Sequence, residues 1–227
     1  MRIAVIVMCA VTGLSVAGDR VLTRIAESRT AEAFQAGMDT PERPSVRFGG
    51  FPLTAQLVSG TLKQVDITAQ DIPGGEGPHA VSVSRLSLHA TGLNFADAEE
   101  LRAGAVEAAV ALSYADLSKA IGFEFTQGPK PGQLTASVPL PLDHRVKVTA
   151  TLAVTTDNHI AFRDFEVTDL PLNNIASALL TKVFEEPIKV DDLPSGLDLR
   201  TVGTTAEGLE IRASGRSVVF RPETAGP

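Results

Sequence analysis

The stretch Ser45–Asp71, "SVRFGGFPLTAQLVSGTLKQVDITAQD", decides how the rest of the chain is read. Gly49 and Gly50 permit positive φ or close backbone approach. Pro52 fixes φ and suits a first helical turn. The segment therefore predicts a strand that stops abruptly and feeds a short helix over 52–59. Leu53 and Leu57 share one face of that helix, Ser59-Gly60 ends it, and a strand follows from Thr61. Phe48 and Phe51 bracket the turn. Two roles are open to this unit: a helix capping a sheet with Phe51 in the core, or a lip at the mouth of an apolar cavity.

Strand patterning continues outward. Val65, Ile67 and Ala69 alternate with polar residues, as do Val81 and Val83 and then, after a change of phase at Arg85-Leu86, Leu86, Leu88 and Ala90. The phase change predicts a β-bulge. Gly104 and the alternation Val106, Ala108, Val110, Leu112 make 98–113 a strand despite its alanines. Leu134 to Leu142 and Val146 to Val154 alternate clearly, with a hairpin turn at Asp157-Asn158 leading into Ile160 and Phe162. Pro139 and Pro141 suit an edge or a bend. The segment 196–220 predicts two or three short strands with turns at Glu207-Gly208 and Ser214-Gly215. Further short helices are expected at Tyr114–Ile121, capped by Ser113, and at Pro171–Phe184, where Leu172, Ile175, Leu179 and Val183 recur at helical spacing. A longer helix is expected from Asp19 to about Gly37.

Few helices thus accompany many alternating strands, each with one apolar face to cover. A closed sandwich and a curved sheet wrapped around lipid both satisfy this demand.

Met1-Arg2, the apolar run Ile3–Val16 and the small residues Ser15-Val16-Ala17 have the form of an export signal, either cleaved or retained as an anchor. Residues 1–18 form this segment. Residues 19–227 are expected to form a single domain, with the last few residues expected to be a disordered tail. Cys9, the only cysteine, lies in the apolar run, so the remainder supports neither disulfide nor thiolate chemistry.

Of 227 residues, 44% are hydrophobic and 21% charged, an ordinary globular balance, and the net charge is −7. That charge argues against nucleic acid, which is bound through basic patches. Scarce aromatics and no Trp argue against stacking platforms. His79, His89, His144 and His159 are scattered without metal-ligand spacing, and Asp191-Asp192 precedes a proline as a solvated turn would. There is no nucleophile elbow, P-loop or dinucleotide fingerprint. No catalytic residue, metal or cofactor is expected.

Three segments carry a resemblance: "VRFGGFPLTAQLVSGTLKQVDITAQDI" (46–72), "PLNNIASALL" (171–180) and "LPSGLDLRTVGTTAEGLEIRASGRSVVF" (193–220). Together with the "DRV" that follows the apolar run, they resemble the LmeA-type actinobacterial family over about residues 19–221. The resemblance implies an α+β fold: a long, strongly curved antiparallel β-sheet, a half-barrel similar to half of a tubular lipid-binding (TULIP) domain. An N-terminal helix and a few short helices would surround an apolar channel. It also implies an exported or membrane-anchored protein at the outer surface of the plasma membrane, in a cell envelope or periplasm-like space. The partner would be a phospholipid such as phosphatidylinositol, and the role lipid binding or transfer supporting envelope lipid or lipomannan-type lipoglycan maintenance. The competing expectation is a non-catalytic assembly factor of the envelope with a protein partner.

If a channel exists, apolar phase selects Phe51, Leu53 and Leu57 at one end, Leu172, Ile175 and Leu179 on the late helix, and Leu140 and Phe162 from the sheet. Arg47 and Lys63 flank the FGGFP helix as candidate headgroup contacts.

Overall fold

The computed structural model describes residues 2–74, 81–97, 100–139, 145–168, 188–190 and 193–221, with side chains from residue 18 onward save those of Thr168 and Lys189. Helix α1 (Arg2–Met38) leads into strand β1 (Ser45–Gly49), helix α2 (Leu53–Ser59) and strands β2 (Thr61–Ile72), β3 (Val83–Asn94) and β4 (Leu101–Ser113). Helix α3 (Tyr114–Ile121) then connects to β5 (Glu124–Gln127), β6 (Gln133–Pro139), β7 (Arg145–Val154), β8 (His159–Thr168) and β9 (Ile188–Lys189). The chain closes with β10 (Ser195–Thr204) and β11 (Gly208–Phe220).

Two antiparallel sheets result among the described residues. One has six strands in the order β1-β2-β3-β4-β11-β10, the other five in the order β5-β6-β7-β8-β9. The six-stranded sheet is open, with β1 at one edge and β10 at the other, as a half-barrel requires. Only β11 interrupts its sequential order, returning to pair with β4 over nearly its full length.

The two sheets share a core. Val106, Leu197, Leu199, Ala213 and Val218 of the first join Leu134, Val146, Val148, Leu152 and Ile160 of the second. Polar ties reinforce the junction: Leu199 N–H donates to Asn158 Oδ1 at 2.8 Å, and Gly132 N–H to Thr204 Oγ1 at 3.0 Å. Asn158 is the left-handed residue of the β7–β8 hairpin (φ 58°), a conformation that asparagine tolerates, so the turn residue also clamps the sheets together.

Three expectations need correction. No register shift occurs at Arg85-Leu86, which pair in step with Gln70 and Ala69 on one side and with Ala111 and Val110 on the other. The phase change instead reflects partial cover on both faces of β3, with Ser84, Leu86, Ser87 and Leu88 all half-buried. Ser214-Gly215 is not a turn, because β11 runs straight through it. Gly215 is there because β10 approaches too closely for a side chain: a Cβ would stand 1.9 Å from the Gly196 carbonyl oxygen, beside the register shift between Ser195 and Leu197. The first helix begins well before Asp19, at Arg2. The expected helix at 171–184 lies outside the described residues.

Candidate functional site

The strand-to-helix junction is built by contacts that local sequence does not provide. Gly49 and Gly50 leave no room for side chains, since a Cβ on either would come within 3 Å of Gln64 or Lys63, and Gly50 has φ 87°. The Phe51–Pro52 bond is cis. Pro52 is the N-cap of α2 and offers no capping side chain. Asp19 of α1 supplies the cap instead: Oδ2 accepts Leu53 N–H and Oδ1 accepts Thr54 N–H, both at 2.9 Å. These bonds hold the buried Asp19 carboxyl below the ordinary aspartate range, the Thr54 N–H contributing most.

Gln56 is the polar post inside the turn. It is buried, donates to the Gly49 and Pro52 carbonyls, and accepts Lys63 N–H at 2.7 Å. Gly60 closes the helix in the left-handed conformation (φ 68°), its N–H directed at the Gln56 and Leu57 carbonyls. Farther along α1, Glu27 accepts Phe48 N–H from the edge strand, and Arg43 reaches back to Ser28 and Glu32. The second half of α1 is thus strapped along β1 and α2.

Register gives the six-stranded sheet two unlike faces. On one, apolar residues line up across the strands: Val65–Ala90–Val106–Gly215–Leu197, then Ile67–Leu88–Ala108–Ala213–Leu199, then Ala69–Leu86–Val110–Ile211–Val202. Neighbouring positions carry Arg47–Asp66–His89–Glu107–Ser214–Asp198 and Thr68–Ser87–Ala109–Arg212 on the other face. The polar face is internally paired. His89 Nδ1 meets Asp66 Oδ1 at 2.5 Å, and this bond is the chief cause of the lowered Asp66 pKa. An open hollow of about 470 Å³ lies over this face, around Asp66, His89, Glu107, Arg200 and Arg212. Among the described residues no group of three or more His, Cys, Asp or Glu is placed to hold a metal ion.

Among the described residues the apolar face has two covers. The second sheet packs over its β10–β11 side, and α2 covers its β1–β2 side, where Leu53, Leu62 and Val65 form a satellite core with Ala26, Phe48 and Ile67. Between these covers Leu86, Leu88, Ala108, Val110 and Ile211 are half-buried.

The residues chosen from sequence for the channel end divide between surfaces. Leu53 is fully buried in the satellite core, whereas Phe51 and Leu57 face solvent. Phe162 is half-buried against the main core. Leu140, Leu172, Ile175 and Leu179 lie outside the described residues. Arg47 and Lys63 are both exposed. Arg47 sits opposite Asp66 on the polar face, and the Lys63 stem lies against Gly50. Sequence reading did not select Leu86, Leu88, Val110 and Ile211, although the alternation in β3 and β4 marked the first three as inward-facing. Asp19 carried no local signal of its role.

A family model described as LmeA-like phospholipid-binding matches residues 17–214. No curated protein and no solved structure matches the chain.

Proposed function

From the premise that the chain belongs to the LmeA-like phospholipid-binding family, we propose that it holds phospholipid acyl chains against the apolar face of its six-stranded sheet and carries or presents them in the cell envelope. The observation that carries this reading is the set of apolar rows crossing β2, β3, β4, β11 and β10, half-covered at Leu86, Leu88 and Val110. In the proposal these residues form one wall of an acyl-chain channel. Each methylene moved from water onto such a wall contributes about 0.8 kcal/mol. Two acyl chains therefore supply ample affinity without a deep polar site. The protein is exported on the apolar run Ile3–Val16 and works at the outer surface of the plasma membrane. A phosphatidylinositol-like lipid and support of lipoglycan maintenance belong to the same proposal. Lipid holding asks nothing of a nucleophile, metal or cofactor.

Organic extraction of the purified protein, with mass spectrometry of the extract, tests the reading. Phospholipid in a fixed ratio to protein is expected. An extract free of lipid, with one protein partner recovered by crosslinking in its place, would favour an assembly factor.

A further inference from the structure

Several apolar side chains stand in solvent on two elements that Asp19 ties together. On the FGGFP turn and α2 they are Phe51 (56% exposed), Leu57 (45%) and Val58 (90%). On α1 they are Val21, Leu22 and Ile25, each about half exposed. A domain whose core already contains Leu53 and Val65 gains nothing in water from Val58 on its outside. Exposed apolar clusters of this kind mark a contact surface.

The surrounding charges identify what is contacted. From Phe48 to Leu62 there is no charged residue, and both bounding charges, Arg47 and Lys63, are cations. Arg20 and Arg24 are exposed beside Val21 and Ile25 on α1, where the two nearby acids are engaged, Asp19 as the α2 cap and Glu27 by the Phe48 N–H. In a chain of net charge −7, exposed cations thus outnumber exposed acids around these side chains, Asp97 beside the Gly60 end of α2 being an acid among them. The patch also adjoins the apolar run, because Val16 lies within one turn of Asp19 on the same helix.

We infer that Phe51, Leu57 and Val58, together with Val21, Leu22 and Ile25, are a docking face that enters the interfacial layer of an anionic phospholipid bilayer, with Arg20, Arg24 and Lys63 at the headgroups. An apolar patch supplies burial, and each cation near an anionic surface adds attraction that salt screens. The inference rests on the lipid-binding reading and adds to it the surface by which the domain meets the membrane.

The test uses the full chain bound to vesicles. A Cys9→Ser background with Val58→Cys carries one environment-sensitive fluorophore, and Thr126→Cys, exposed on β5 of the other sheet, carries it in the control. In vesicles of equimolar phosphatidylcholine and phosphatidylglycerol, the label at 58 is expected to shift to the blue and to be quenched by nitroxide lipids. The label at 126 stays open to aqueous iodide. Pure phosphatidylcholine, high salt, or the pair Arg24→Glu with Lys63→Glu should each weaken the contact at 58, on the order of fivefold per cation lost.

A label at 58 as open to iodide as that at 126, on chain that is vesicle-bound, overturns the inference. So does a blue shift without nitroxide quenching, which would mark a protein partner, or a contact indifferent to lipid charge. Lipid extraction separates this inference from the lipid-holding proposal. Extracted lipid with an aqueous label at 58 defeats the docking face alone. Nitroxide contact without extracted lipid supports the face and defeats the lipid-holding role.

Discussion

The carboxylate of Asp19 accepts the N–H of Leu53 at 2.9 Å across a separation of 34 residues, making one helix the cap of another. Sheet, α2 and N-terminal helix meet at that bond. Its titration gives the first prediction. Because the folded-state pKa is depressed, the cap's contribution is complete above the ordinary aspartate range and is lost as pH falls through it toward the lower folded value. Asp19→Asn keeps an acceptor but loses the charge and one of the two bonds. The variant should be less stable than the parent at neutral pH, and the gap should narrow in acid. Denaturant unfolding at several pH values measures both, and a gap that is constant with pH would rule out the charged cap.

Leu53 is only 1% exposed and anchors the satellite core. Leu53→Ala should cost about 2–5 kcal/mol, the range for truncating a packed leucine. Leu57→Ala, on the same short helix but in solvent, should stay within about 0.5 kcal/mol. Equal losses in the two variants, read by chemical denaturation, would contradict the division of these residues between core and surface.

Gly215→Ala places a methyl against the Gly196 carbonyl oxygen. The backbone of β10 must shift to admit it, at a cost of about 1–3 kcal/mol. The local signature is faster amide hydrogen exchange in β10 and the adjoining part of β11, with β2 and β3 unchanged.

Ala108 and Ala109 are sequence neighbours on opposite faces of β4. Ala108→Trp fills the half-covered apolar wall, and the lipid recovered by extraction should fall about tenfold, the effect of losing some 1.4 kcal/mol of acyl-chain contact. Ala109→Trp sits among Ser87 and Arg212 on the polar face and should leave lipid recovery unchanged. Equal recovery from both variants would remove the wall from the proposal.

Sequence made the alternating strands legible because side-chain direction in a strand repeats every two residues, so β2, β4, β7 and β8 were visible in their own patterns. Ser113 likewise announces α3 through its local cap, and Pro52 announces the start of α2 through its fixed φ. Other features depended on partners distant in the chain. Ser214-Gly215 has the composition of a turn, and only the approach of Gly196 reveals a strand glycine. Asp19 is an ordinary acidic residue in an alanine-rich helix until Leu53 and Thr54 are brought to it. The candidate site shows the same split: alternation gave each strand its inward residues, whereas the rows they form, and the stretch between the two covers, follow from register.

The half-covered rows through Leu86, Leu88 and Val110 have one more consequence. A core with half-exposed apolar rows counts whatever apolar matter rests on them as though it were its own side chain. Under the lipid-holding proposal, thermal stability and lipid occupancy become two readings of one equilibrium, with the melting temperature expected to rise as the face fills. The protein's own unfolding curve would serve as its load gauge.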